Sequence, residues 1–262
     1  VSSDCSALPL HNRDTGDGPP LVILHGLFGS SRNWQTIARA IANRFRVISA
    51  DLRNHGESPH AAAMTYECMT ADVFNLMDRL KLDLPILVGH SMGGKVAMTA
   101  ALLQPERWRC LVIVDIAPVQ YSSGFLNRVD AMLALPVQGL RSRMQADSFL
   151  RQAEPDPAVR NFLLHNLVAR DGHYAWRINL PAIRNALPDI AGFPDLNGPC
   201  LLPTLALRGE RSGALRPQHQ PRLLELFPRA EIVTLPGAGH WPHAEMPEAF
   251  LAALNEFLES IS

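Results

Sequence analysis

Four short apolar runs in the first half of the chain, PLVIL (20–24), RVISA (46–50), LPILV (84–88) and CLVIV (110–114), each stop at a glycine or a polar residue. Segments of helical period, 33–42, 65–80 and 91–104, lie between and after them. Runs that are apolar at nearly every position suit strands buried on both faces, which requires helices on both sides of the sheet. The alternation therefore predicts an α/β chain with a mostly parallel central sheet flanked by helices. The same pattern returns late in the chain, as TLALR (204–208), a helix at 217–227, EIVTL (231–235) and a closing helix at 245–258.

Between 118 and 193 the alternation breaks. This stretch reads as helices at 125–133, 140–152, 157–168 and 181–187, with Asp156 as N-cap and Pro157 at the first helical position of the third. The division is then a core of 1–117 with 194–262, and a helical cap, 118–193, inserted after the strand that ends at Asp115. At 262 residues one core buries enough surface to hold such a fold together. A net charge of −1 leaves no electrostatic footprint for nucleic acid or an anionic membrane surface. No window is apolar for long enough to insert stably in a membrane. Cys5, Cys68, Cys110 and Cys200 are 63, 42 and 90 residues apart, which fits no zinc or redox spacing. They are expected to be free thiols in a reducing compartment, and the location expected is the cytoplasm. No metal site and no cofactor is expected.

The chemistry is carried by GHSMGG (89–94), which fits G-x-S-x-G and stands between a buried strand and a helix. A nucleophile lifted onto so sharp a turn needs small neighbours two positions either side, here Gly89 and Gly93, with Gly94 and Ala97 letting the helix approach the sheet. Ser91 is thus the candidate nucleophile. Its base should be an imidazole. Of ten histidines, His240 in PGAGHWPH (236–243) follows the last strand and enters a loop, where the chain order Ser, acid, His puts the base. His243 is the second choice, with a supporting role in the loop or pocket wall more in keeping, and His25, His55 and His90 stand beside glycines, where a ring can brace loops.

Two positions are open for the acid. Asp115 ends an apolar strand, where burial demands a strong partner such as His240; Glu210 lies in GERS (209–212), at whose last position, Ser212, many chains of this architecture carry an aspartate. The missing aspartate favours Asp115. The oxyanion donors expected are the main-chain N–H groups of Leu27, in HGLFG (25–29), and Met92. Phe28, His90, Phe125, Phe162, Tyr174, Trp176 and Trp241 are candidates for the pocket lining. In DLRNHGESP (51–59), Asp51, Arg53 and Ser58 read as scaffold, and Asn54 and His55 as candidates for the pocket rim.

DLRNHGES, GHSMGG, VDIAPV and GAGHWPHAE together resemble the α/β-hydrolase superfamily, and within it an esterase branch of bacterial enzymes with mitochondrial eukaryotic relatives. The resemblance runs from about 19 to 258 and takes in NFLLHNL (161–167). It implies a Ser91, Asp115, His240 triad, oxyanion donors at Leu27 and Met92, and cofactor-free hydrolysis of small-molecule carboxylic acyl esters, acyl thioesters of coenzyme A included. Other reactions of the same scaffold, carbon–carbon bond hydrolysis or perhydrolysis, are the alternative, followed by a non-catalytic binding protein. The short N-terminal region has room for one strand or a hairpin, giving a sheet of seven or eight strands.

Overall fold

The computed structural model describes residues 5–122 and 124–261. Its main sheet has seven strands: β1 Asn12–Thr15, β2 Pro20–Leu24, β3 Arg46–Ala50, β4 Ile86–His90, β5 Cys110–Val114, β8 Thr204–Gly209 and β9 Ala230–Leu235, in the order β1-β3-β2-β4-β5-β8-β9. All pairs are parallel except β1 with β3. Among the described residues the N-terminal region thus supplies one antiparallel edge strand.

Side chains alternate across this sheet with the strand period of two. Val22, Leu24, Leu87, Leu111 and Ile113 join one core with helices α2 (Tyr66–Leu80) and α3 (Met92–Leu103). Leu21, Ile23, Val88, Val112 and Val114 join the other with α1 (Gln35–Ile41) and α10 (Pro247–Ser260). The continuous apolar runs of the sequence are these two interleaved faces. Helix α2 starts at Thr65, whose side chain accepts the Cys68 N–H, and stops at Lys81 in the left-handed region.

Between β5 and β8 the chain forms α4 (Leu126–Ala134), α5 (Arg143–Leu150), α6 (Pro157–Leu164), a two-stranded antiparallel sheet of β6 (Leu167–Arg170) and β7 (His173–Trp176), and α7 (Leu180–Ala191). Asp156 caps α6 through the Ala158 N–H. The hairpin corrects the helix read at 157–168. Asp171 and Gly172, between the paired Arg170 and His173, both have positive φ, 49° and 82°, as the tight turn of a two-residue hairpin requires. Helix α7 also runs further than expected, through Pro188. Helix α8 (Gln220–Leu226) joins β8 to β9, and after β9 a short helix, α9 (Pro242–Glu245), precedes α10.

A second correction concerns the cysteines. Cys5 and Cys68 form a disulfide with Cα atoms 5.0 Å apart; Cys110 and Cys200 are free and buried. The N-terminal segment lies against α2, where Arg53 holds it: the guanidinium pairs with Asp72 through Nε (2.6 Å) and Nη2 (2.7 Å) and also donates to the carbonyls of Ser6, Ala63 and Cys68. Contact across 63 positions is a product of the fold, invisible in spacing. Four free thiols therefore no longer argue for a reducing cytoplasm. Among the described residues no helix is long and apolar enough to cross a membrane.

Candidate active site

Ser91 sits between β4 and α3 with φ 52° and ψ −119°, a conformation that an L residue holds only where its surroundings impose it. The imposition is steric closeness. A Cβ at Gly89 would stand 2.3 Å from the Gly93 carbonyl oxygen, and one at Gly93 2.6 Å from that of Leu24. Glycine at both positions lets the turn close, and it leaves the first N–H groups of α3 beside the serine.

Asp115, the first residue after β5, is fully buried and also has positive φ, 51°. His240 comes from the loop after β9. Its Nε2 accepts from the Ser91 hydroxyl at 3.1 Å, and its Nδ1–H donates to Asp115 Oδ2 at 2.7 Å. The carboxylate only accepts, so it fixes the tautomer that leaves Nε2 free to take a proton. Asp115 Oδ1 accepts the Gly209 N–H at 3.0 Å, and the Ser212 hydroxyl donates to Oδ2. The chain therefore places a serine hydroxyl, at the position considered for the acid, onto the aspartate one strand earlier. Glu210 faces elsewhere and accepts the Gly237 N–H at 2.8 Å.

Four further buried histidines, His25, His55, His90 and His243, brace the site. His90 Nε2–H donates to the His240 carbonyl at 2.7 Å, and the rings lie 4.9 Å apart. His25 Nδ1–H donates to the Gly26 carbonyl while Nε2 accepts the Leu52 N–H. His243 stacks on Trp34 at 3.9 Å. Burial holds His25 and His90 below the ordinary imidazole value and pushes His55 and His243 down to about 3, so these rings stay neutral.

The pocket-rim reading of His55 and Asn54 needs correction. Both are fully buried. His55 Nε2 accepts the Phe28 N–H at 3.1 Å, and Asn54 Oδ1 accepts from Ala61 N–H and the Asn179 side chain. Asp51 and Ser58 hold backbone: Asp51 accepts the N–H groups of Ser31 and Glu57, and the Ser58 hydroxyl donates to the Asp51 carbonyl.

Leu27 belongs to a turn closed by Gly29 N–H to Gly26 carbonyl. With the Phe28 N–H taken by His55, the Leu27 N–H is left, like that of Met92, without an acceptor among the described residues. Helix geometry itself leaves Met92 so, at the first turn of α3.

Two cavities meet at Ser91 and His240. The larger, about 690 Å³, is walled by Leu27, Met92, Ile116, Phe125, Leu187 and Ile190, with Tyr66, Lys95, Tyr121, Arg211, Ser212 and Arg216 among its polar groups. The smaller, about 170 Å³, is apolar, with Phe28, His90, Val159, Phe162 and Trp241 on its walls. Tyr174 and Trp176 line neither; Trp176 Nε1–H donates to the Met132 carbonyl inside the 118–193 segment. Sequence reasoning passed over Lys95, Tyr66 and Tyr121, which carry no motif signal and reach the cavity from α3, α2 and the segment after β5. Among the described residues no cluster of histidine, cysteine or carboxylate groups could hold a metal ion.

A family model of the alpha/beta hydrolase fold matches residues 19–247. The chain belongs to this family. Over 93% of its length this α/β-hydrolase is 43% identical to the sn-1-specific diacylglycerol lipase ABHD11 of Danio rerio, covering 80% of that protein. It is 37% identical to esterase YbfF of Escherichia coli, over 91% of its own length and 92% of that protein. Among solved structures, a marine microorganism esterase superimposes with a TM-score of 0.93 at 36% identity, covering 96% of this chain and all of that one.

Proposed function

We propose that this α/β-hydrolase cleaves carboxylic acyl esters through an acyl-enzyme on Ser91. The observation that carries the reading is the unbroken line from the Ser91 hydroxyl through His240 to the buried Asp115 carboxylate. Ser91 Oγ attacks the ester carbonyl as His240 Nε2 takes its proton; His240 then gives that proton to the departing alkoxide. Water repeats the sequence on the acyl-enzyme and releases the acid. Asp115 keeps the imidazole in the working tautomer and stabilises its cation. The N–H groups of Leu27 and Met92 meet the negative charge on the carbonyl oxygen, each such donor contributing about 3 kcal/mol to lowering the barrier.

The two cavities match the two halves of an ester. The larger is of the size of a ligand pocket and takes the acyl chain; the smaller, apolar one takes a short alcohol. In this reading 118–193 is the cap that roofs both. Relatives named as a diacylglycerol lipase and an esterase support oxygen esters as substrates. Coenzyme A thioesters fit the same acyl-enzyme chemistry and belong in the substrate panel.

The test is covalent labelling by a fluorophosphonate together with hydrolysis of esters graded in acyl and alcohol length. The wild type should label at Ser91, accept growing acyl chains and slow steeply as the alcohol grows. Ser91→Ala should not label and should lose activity by about 10⁴-fold or more. Ester hydrolysis by Ser91→Ala near the wild-type rate overturns the reading.

A further inference from the structure

Lys95 is one of only two lysines in a chain with 24 basic residues, and it is 1% exposed. It stands one helical turn beyond Ser91 on α3, its own N–H donating to the Ser91 carbonyl at 3.1 Å. No carboxylate pairs with it among the described residues. Its Nζ instead donates to the main-chain carbonyls of Val119 (2.9 Å), Ala191 (3.0 Å) and Gly192. An ammonium has three N–H groups, so all three are engaged.

The acceptors lie at the two ends of one insertion. Val119 follows β5 as the chain leaves the sheet, and Ala191 and Gly192 end α7 as it returns towards β8. Two tyrosines complete the junction. Tyr121 N–H donates to the Ala191 carbonyl and its ring lies 4.7 Å from Nζ; the Tyr66 hydroxyl donates to the Ile190 carbonyl and its ring lies 5.9 Å from Nζ. An uncompensated buried charge is expensive, and a methionine would fill the same space without that cost. What only the charge provides is the simultaneous hold on three carbonyl oxygens.

We propose that Lys95 is a positioning residue that fixes both ends of the 118–193 segment on the helix carrying Ser91, and thereby sets the walls of the larger cavity and the acyl length it accepts. Tyr121, Ser122 and Phe125 from the outgoing end and Leu187, Ile190 and Ala191 from the returning end are those walls. Ser91 directly follows β4, Asp115 directly follows β5 and His240 lies in the loop after β9, so a shift of the two ends changes the fit of long acyl chains before it changes the chemistry.

Burial without a counter-charge pushes the Lys95 amine down to about 7. The neutral amine has two N–H groups and a lone pair for three carbonyls, so raising the pH releases one contact. The titratable groups that face it are Tyr66 from α2 and Tyr121 from the outgoing end, and burial holds both hydroxyls above their ordinary value. From α7 and from α3 itself it meets main chain.

The proposal rests on Ser91 as nucleophile, so the experiment begins with fluorophosphonate labelling of wild type and Lys95→Met. The reading is then the ratio of kcat/KM for octanoyl and acetyl esters of one alcohol between pH 6 and 9; the ratio cancels every pH effect common to the two substrates. We expect it to fall several-fold with rising pH in the wild type, and to be at least tenfold lower and independent of pH in Lys95→Met. A labelled Lys95→Met with the wild-type ratio overturns the proposal, and so does a wild-type ratio flat in pH, a measurement that holds even if the variant fails to fold. A wild type that does not label defeats the nucleophile assignment itself, and with it this inference.

Discussion

The hydroxyl of Ser212 donates to Asp115 Oδ2, the same oxygen that accepts from His240 Nδ1. The two residues are 97 positions apart and come from the ends of neighbouring strands β5 and β8. The bond aims the carboxylate at His240 and shares its charge. A hydrogen bond to a charged group is worth about 1.5–3 kcal/mol. Ser212→Ala is therefore expected to lower kcat/KM roughly tenfold or more with the fold intact, as judged by circular dichroism and ester kinetics.

Asp115 and Glu210 should respond in opposite ways to loss of charge. Asp115→Asn keeps the shape but offers His240 an amide, favouring the wrong tautomer, and such a change costs about 10⁴ in kcat. Glu210→Gln removes only charge from a partner of the Gly237 N–H and should stay within about threefold of wild type. The reverse ranking in parallel rate measurements would move the acid to Glu210.

Acid should destabilise the fold through its buried imidazoles. His55 and His243 titrate near 3 in the folded chain against about 6.5 when unfolded, so between those values the unfolded state binds more protons and stability falls as pH drops. At pH 5.5 each costs about 1 kcal/mol relative to neutrality. The urea midpoint should fall accordingly between pH 7.5 and 5.5, and His243→Gln should flatten that slope.

The Cys5–Cys68 bond closes a loop of 63 residues, which in the chain-entropy account stabilises by about 4 kcal/mol at most. Cys5→Ser is expected to lower the urea midpoint by an amount within that limit while leaving fluorophosphonate labelling of Ser91 unchanged. Added reductant should reproduce the shift in the wild type and have no effect on the variant.

Arg53 and Asp72 are both buried, at 1% and 0% exposure, so neither charge has water to fall back on. Arg53→Met leaves the carboxylate of Asp72 without its cation and is expected to cost about 3–5 kcal/mol, measured by denaturant unfolding. Replacing both partners, with Arg53→Met and Asp72→Leu, should recover part of that loss.

The sheet was legible because its signal is local: five of its seven strands are buried on both faces or nearly so, and an uninterrupted apolar run next to a helical period is enough to place them. The same holds for the turn at Ser91, where Gly89 and Gly93 answer a steric demand within five residues, and for His240 and Asp115, which stand directly after or near strand ends. The hairpin at 167–176 carried its signal too, in Asp171 and Gly172, but the helical period of the preceding residues ran into it.

What the sequence determined by itself is thus the alternating architecture and the residue types at the ends of its strands, since period, burial and turn sterics act over a few positions. Only the tertiary structure decided that Cys5 meets Cys68, that Ser212 donates to Asp115, that His55 and Asn54 are buried, and that Lys95 Nζ donates to the carbonyls of both Val119 and Ala191. Each of these joins residues tens of positions apart or fixes their burial. Such contacts form where packed elements bring side chains within about 3 Å, and that distance is set by the sum of the fold's packing rather than by any stretch of chain.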